Sequence, residues 1–485
     1  MQDRSEIQAA FAPLAAVPDS HAARVQAIAD QVKSRGAGRR LTIRKAHPGH
    51  TPHDLGYKAG CHPVMVDGLD RELIIDRDAL TATVEGQVNL RRLCKEALAA
   101  GTMPKVVPEF ETFTVAGLVN GLGIETSSHR HGVFPASAVS LEVVLGNGEV
   151  IEASAARHAD LLATLPGSYG TLGIVTRATV QLREAKPFVR SHYRHFTRLA
   201  EYGAAFRAAL HDHEFVEGFV MARDSYVLVT SEYSDAVSDL DVFEAMQPGN
   251  PWYYRHAEAL ARGEGEDLVP SYSYMFRHQR SLLWLAPIIA GSNPLMSTRF
   301  GREMLAKMVE RKVAKDGFQV NMPVELQERC LVNQDMGVRL SRLEEGIEYV
   351  QRNLDVHPLW NCPAGSGTTA LSFAMPRRLQ REPEMVVDIG VYGEPKVKHY
   401  RPYDAMRALQ KFVDVPSFWG VCYLSNEELR EIYDFEAYQA VQRKYHAADA
   451  FVPLERKLRF MKPSEVPQER LPLWRLARLW YDLTA

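Results

Sequence analysis

Tyr392, Glu394, Lys398 and His399, all able to hold or move a proton, crowd into Asp388-Ile389-Gly390-Val391-Tyr392-Gly393-Glu394-Pro395-Lys396-Val397-Lys398-His399. The segment begins as an apolar strand, and a strand sends alternate side chains to one face. A phenol, a carboxyl or an imidazole placed that way can act as a general acid on a bound substrate. Tyr392, Glu394 and His399 are therefore the candidate catalytic residues. The competing reading is a surface turn at Pro395 in which Glu394 pairs with Lys396 or Lys398.

A second concentration lies upstream. Thr114-Val115-Ala116-Gly117 leads to Gly121-Leu122-Gly123-Ile124-Glu125-Thr126-Ser127-Ser128-His129, and Gly170-Thr171-Leu172-Gly173-Ile174-Val175 follows. Glycines and small hydroxyls let main-chain N–H groups approach an anion closely. Gly121-Leu122-Gly123 lacks the third glycine of a dinucleotide fingerprint and follows a helix-like stretch instead of a strand, so a Rossmann fold is not expected. A cradle of loops for a large phosphorylated ligand, FAD, fits better. His47-Pro48-Gly49-His50-Thr51 is a further anion loop, and with so few glycines it suits a non-covalent flavin. The expected cofactor residues are His47, Pro48, Gly49, His50, Thr51, Thr114, Val115, Ala116, Gly117, Gly121, Gly123, Glu125, Ser127, Ser128, His129, Gly170, Thr171, Gly173, Ile174 and Val175. His129, beside two serines, is read as a support for the cofactor.

The order of these three segments resembles the FAD domain of the vanillyl-alcohol oxidase (PCMH) type. Glu125-Thr126-Ser127-Ser128-His129, Gly170-Thr171-Leu172-Gly173, Phe215-Val216-Glu217-Gly218, Asn293-Pro294, His357-Pro358-Leu359-Trp360 and the Asp388–His399 segment further resemble the delta-24-sterol reductase (seladin, Diminuto) family. That resemblance implies reduction of an isolated lipid C=C with FAD and NADPH. The lipid is left open between a sterol side chain and the methylene-fatty acyl group of bacterial relatives. An alcohol oxidase or dehydrogenase of the same fold, and a non-catalytic lipid-binding module, are the alternatives.

These groups need a scaffold, and the chain is long enough for more than one core. The expected fold class is α+β: a two-subdomain PCMH-type FAD-binding domain and a substrate (cap) domain with an antiparallel sheet and C-terminal helices. The expected limits are a helical lead over 1–34, the FAD domain over 35–185, the cap over 186–400 and a helical segment over 401–485. His21 to Lys33 reads as an amphipathic helix and Asn89 to Ala100 as another. Gly146-Asn147-Gly148 between Val139–Leu145 and Glu149–Ala153 signals a hairpin. The basic, aromatic run Arg190 to Arg198 marks a change of texture after Pro187.

Bulk properties narrow the partners. With 46% hydrophobic and 24% charged residues the chain is globular, and 57 Lys+Arg against 60 Asp+Glu gives a net charge of −3, so no nucleic acid is expected. Five scattered cysteines and 17 histidines show no metal-ligand spacing, so no metal is expected and the thiols suit a cytoplasmic setting. The apolar run Leu282 to Ala290, broken by Pro287, is too short to span a bilayer and reads as core, substrate tunnel or membrane-dipping loop. A helix carrying Leu473, Leu476, Trp480 and Leu483 can dock on the protein or lie at the inner face of a membrane as a peripheral contact. Arg277, His278 and Arg280 are read as meeting a lipid head group or nicotinamide phosphate, or else as a solvated helix face. The oligomeric state is not fixed by the sequence.

Overall fold

A computed structural model describes residues 19–45, 58, 60–235, 240–281, 298, 300–301, 304, 332–365, 373, 375–416 and 421–458. The loop His47–Thr51, the pair Asn293-Pro294, the run Leu282–Ala290 and the helix expected around Leu473–Leu483 lie outside the described residues.

The first half is built on β1 (Leu41–Arg44), β2 (His62–Met65), β3 (Leu73–Asp76), β4 (Thr81–Glu85), β5 (Thr102–Pro104), β6 (Ala138–Val144), β7 (Val150–Ser154) and β8 (Ile174–Glu184). β1 and β2 form a parallel pair, and β3-β4-β8-β6-β7 form a sheet whose long strand β8 also takes β5. The hairpin β6–β7 closes at Gly148, whose φ of 80° needs a residue without Cβ strain. Val144 pairs with Val150 across it. The helices His21–Lys33, Leu90–Ala99 and Val115–Gly121 cover this sheet. Val25, Ile28, Leu93, Leu118, Val84, Val143 and Val180 share one core, and each such burial is worth about 1.5–3 kcal/mol against exposure.

The helix His21–Lys33 is also held electrostatically. Arg24 Nη2 lies 2.6 Å from Glu85 and 3.3 Å from Glu72, while His21 reaches Glu85 and Glu142 at 2.7 Å each. His21, Glu72 and Glu85 have metal-ligand spacing, but Arg24 already supplies the positive charge there.

The second half is a single antiparallel sheet. Its strands are β9 (Phe188–Phe196), β10 (Phe215–Ala222), β11 (Ser225–Ser234), β12 (Glu266–Pro270), β13 (Val332–Arg339), β14 (Leu359–Ala364), β15 (Val386–Gly393) and β16 (Val415–Pro416). The order is β12-β9-β11-β10-β14-β15-β13-β16. The basic run after Pro187 is thus mostly a strand, β9, burying Val189, Ser191 and Tyr193 while Arg190 stays exposed.

Period-2 alternation gives this sheet two different faces. Val216, Val220, Leu228, Val338, Val387, Ile389 and Val391 pack against Tyr202, Phe206, Ile347, Met406 and Leu409 from the helices Leu199–Asp212, Leu343–Asn353 and Pro402–Phe412. Phe219, Val227, Trp360, Cys362 and Tyr392 join the core shared with the first half. The chemistry-bearing residues lie on this second face.

The segment after the last large helices returns to the start of the fold. Leu41 N donates to Ala450 O at 2.7 Å, Arg35 Nη1 donates to Asp449 O at 2.6 Å, and Leu41 bridges Phe451 in parallel. No helix among the described residues is long and apolar enough to cross a membrane.

Candidate active site between the sheets

The register of β15 decides which of its side chains reach the interface. Val387, Ile389 and Val391 go to the helix layer, so Asp388, Gly390 and Tyr392 go to the other face. Asp335 on β13 lies opposite Gly390 and points the same way. The Tyr392 hydroxyl donates to Asp335 Oδ1. Gly390 makes this contact fit: a Cβ there would stand 2.7 Å from Tyr392 Cε2 and 2.9 Å from its hydroxyl. The ring lies back over its own strand only because that position is glycine.

This patch collects acids with little to neutralise them. Burial raises Asp335 to about 6. Burial and then the Asp335 carboxylate push Asp388 well above the usual carboxylate range. From the first half, Glu109 is held up at about 8 by burial, then by Glu125, with Asp335 adding to the effect. The Tyr392 phenol is raised by burial and by Asp335 and Asp388. Of the three expected catalytic residues, Tyr392 is the one placed among these groups. Glu394 is half-buried beyond the strand end, and His399 is exposed in a turn at φ 54°.

Alongside lies a buried polar network of opposite character. Arg277 Nε donates to Glu217 Oε1 and Arg277 Nη2 to Glu125 Oε1, both at 2.9 Å. His278 Nε2 lies 3.0 Å from Glu217 Oε2, and Trp360 Nε1 donates to the same oxygen at 2.9 Å. The Arg277 guanidinium also stacks over Tyr274 at 4.3 Å. Although burial opposes it, the Arg277 and His278 charges hold the Glu217 carboxyl far below its usual range. Arg277, His278 and Arg280 are all at most 1% exposed. This corrects both expectations for them: all three are buried, so they form no solvated helix face, and the guanidinium of Arg277 is already paired with Glu217 and Glu125. Arg280 donates to Ala245 O and Asn250 O at 3.1 and 3.2 Å.

The expected cofactor residues fall into three groups. Thr114 caps the helix Val115–Gly121, its Oγ1 accepting from Gly117 N at 3.3 Å; a Cβ on Gly117 would meet that hydroxyl at 3.0 Å, whereas one on Gly121 would meet nothing within 4 Å. Gly123, Gly173, Ile174 and Val175 are packing positions. A Cβ at Gly123 would meet Leu118 and Pro108 at 2.7 Å, one at Gly173 would meet Val143 at 2.5 Å, and Ile174 and Val175 pair with β6. Glu125, Ser128, whose carbonyl accepts from Gly365 N, and His129 tie the halves together, while Ser127 bonds within the first half. Glu125 holds Arg277, Ser127 Oγ donates to Lys105 O at 2.8 Å, and Ser128 Oγ accepts from Glu125 N at 3.0 Å. His129 places its ring nitrogens 2.9 Å from Thr126 O and His213 O, and burial lowers it to about 4.

One residue outside the expected set organises the cradle. Asn120 Oδ1 accepts from Ser168 Oγ and Gly170 N at 3.1 Å each, and its carbonyl accepts from Gly167 N at 3.0 Å. It clamps the Thr114–Gly121 turn to the Gly167–Thr171 loop, while Thr171 Oγ1 meets the Tyr438 hydroxyl. An Asn at the end of a glycine-rich helix was the available signal.

The residues present fit a phosphorylated cofactor. Lys457 Nζ donates to Tyr169 O and would lie 3.6 Å from a Cβ on Gly170. Burial, then Lys58 and Lys45, lower Lys457 to about 7, and Lys45 and Lys58 are themselves lowered by burial and by neighbouring cations. Cations gathered against one another beside a glycine loop are the complement of a diphosphate. Lys45 immediately precedes the loop expected to bind it.

Comparison with known proteins agrees. A family described as FAD binding domain matches residues 14–154. The Delta(24)-sterol reductase of Homo sapiens is 30% identical over 458 residues, covering 90% of this chain and 86% of the relative. That of Arabidopsis thaliana is 27% identical over 492 residues, covering 92% and 86%. Cytokinin dehydrogenase 3 of Oryza sativa subsp. japonica is 26% identical over 192 residues, 38% of this chain and 36% of its own. A match of this length runs through the FAD-binding half and the antiparallel sheet alike, so the protein is an FAD-dependent oxidoreductase and the chain belongs to the Delta(24)-sterol reductase family.

Proposed function

We propose that this protein reduces an isolated C=C of a lipid, most fittingly a sterol side chain, with NADPH as reductant and Tyr392 as the proton donor. The observation that carries the reading is the Tyr392 hydroxyl held against Asp335 on the buried face between the two halves. FAD, when bound, supplies a hydride to one alkene carbon. The other carbon needs a proton from a positioned acid, and Tyr392 is the expected residue that faces the interface. Lys45, Lys58, Lys457 and the Asn120-clamped loops would hold the diphosphate, and the burial of Tyr392 keeps bulk water from the proton path.

With no Rossmann site for a nicotinamide among the described residues, NADPH and the lipid are read as using one face in turn. Anaerobic mixing with NADPH should bleach the flavin absorbance. Adding a Δ24-unsaturated sterol should then restore the absorbance and yield a product heavier by two hydrogens. A methylene-fatty acyl phospholipid in the same assay distinguishes the lipid class. Tyr392→Phe should keep the first step and slow the second by about 10²–10⁴-fold. Colour restored by air with peroxide, and by neither lipid, would instead support the alcohol oxidase reading.

A further inference from the structure

The loop Gly167–Thr171 has the composition of an anion cradle, yet its own donors are already engaged. Gly167 N and Tyr169 N donate to Asn120 O at 3.0 and 3.3 Å, and Gly170 N donates to Asn120 Oδ1 at 3.1 Å. Ser168 N donates to Leu165 O at 3.0 Å and Thr171 N to Ser168 O at 3.1 Å. The hydroxyls do the same: Ser168 Oγ donates to Asn120 Oδ1 at 3.1 Å and Thr171 Oγ1 to Ser168 O at 2.7 Å. Five consecutive main-chain N–H groups thus end on protein acceptors, three of them on one asparagine. A phosphate could claim one of these N–H groups only by breaking a bond already made.

What the loop presents instead is a carbonyl. Tyr169 O accepts from Lys457 Nζ, and that ammonium stands 3.6 Å from where a Cβ on Gly170 would lie. The same Cβ would meet Ile43 Cδ1 at 2.8 Å, so the ammonium and β1, which leads to Lys45, lie against one glycine. The backbone that aims this carbonyl is strained: Gly167, Tyr169 and Gly170 have φ of 78°, 50° and 71°. A left-handed tyrosine persists only where its surroundings over-determine it. Asn120 does so, and its own amide is fixed to its helix by Nδ2 donating to Ala116 O at 2.7 Å.

We propose that Asn120 is a positioning residue for FAD: by taking the N–H groups of the loop it fixes the Tyr169 carbonyl, which holds the Lys457 ammonium against the diphosphate. The inference rests on the reading above in which Lys457 helps to hold that diphosphate. The loop then acts on the anion through a cation from the far end of the chain, not through its own amides. A diphosphate there relieves the mutual repulsion of Lys457, Lys58 and Lys45.

The test uses the full-length protein with and without FAD. Hydrogen exchange of peptides spanning residues 167–171 should be slow in the apoprotein and change little on adding FAD, because the acceptors are already in place. Protection that appears only with FAD would mean that the amides bind the phosphates, and it overturns the proposal without any variant. FAD titrations then compare Lys457→Met, Asn120→Ala and the double variant at low and high potassium chloride. Each single variant should bind FAD about tenfold or more weakly at low salt, with a flatter salt dependence than the parent. The double variant should be no weaker than Lys457→Met. An Asn120→Ala protein that keeps the parent's salt dependence, or whose loss adds in full to that of the lysine, has a merely structural defect and overturns the positioning role. If Lys457→Met binds FAD like the parent, the reading of the lysine itself fails. If Lys457→Met is weak while Asn120→Ala is not, only the positioning role fails.

Discussion

Two buried polar clusters share one face of the eight-stranded sheet, and they are built on opposite principles. Around Arg277 the carboxylates of Glu217 and Glu125 are answered by a guanidinium, an imidazole and an indole N–H at 2.9–3.0 Å. Around Tyr392, Asp335 is met by the phenol, and burial raises both Asp335 and Asp388. In the first cluster each carboxylate has a cation against it, and the Arg277–Glu125 bond joins the halves. The second holds its protons more tightly than free carboxyls do, because burial disfavours the anions. A buried charge network in a flavoprotein interface is therefore not by itself a catalytic signature; the unbalanced one is the candidate for chemistry.

The comparison breaks most visibly at Arg277. Arg277→Met leaves Glu217 and Glu125 buried without their cation and should cost about 3–5 kcal/mol, read as a lowered urea midpoint. Little loss of stability would mean that the network does not hold the halves together. Gly390→Ala comes next. Its Cβ would displace the Tyr392 ring, so alkene reduction should fall about tenfold or more while NADPH oxidation by the flavin and the urea midpoint change little. A variant as active as the parent would remove the Tyr392–Asp335 contact from the mechanism.

A smaller effect separates the clusters by pH. Asp335 has its folded pKa raised to about 6, against about 3.9 in an unfolded chain. The folded state thus holds the extra proton, and stability contributed by that group falls as pH rises from about 4 to about 6. Glu217 is shifted the other way: its contribution is present above the unfolded value and is lost only in strong acid. Denaturation midpoints of Asp335→Asn across this range should lose the downward slope, and an unaltered slope would assign it elsewhere. The smallest effect is at His399, exposed beyond the strand. His399→Ala should leave both half-reactions as they are, and a slowed alkene step would extend the catalytic face into the turn.

What could be read from the sequence was what is local. The hairpin at Gly146-Asn147-Gly148 and the helix His21–Lys33 follow from turn chemistry and from a period of three to four, and both stand as expected. The strand Phe188–Phe196 was hidden because its arginines and histidines mask a plain alternation of Val189, Ser191 and Tyr193. Tyr392 was legible as a proton carrier on a strand. Asp335, Asp388 and Glu109 were not singled out, because an isolated acid in a strand says nothing until register puts another beside it. The same holds for Arg277, whose partners Glu217 and Glu125 come from 60 and 152 residues away. Gly173, Ile174 and Val175 carry a packing role that the motif alone does not reveal, since Ile174 and Val175 pair with β6 and Gly173 lies against Val143.

The return of Ala447–Leu458 to β1 sets an order of events during synthesis. Leu41 closes on Ala450 and Phe451, and Lys457 reaches the Tyr169 loop 288 residues earlier. A ribosome presents the first half of the chain long before those residues exist, and N-terminal units ordinarily fold first. Here the contacts that Ala450, Phe451 and Lys457 make with the first half form only after the antiparallel sheet has been synthesised. The flavin cradle thus receives Lys457 only after the rest of its wall has been synthesised.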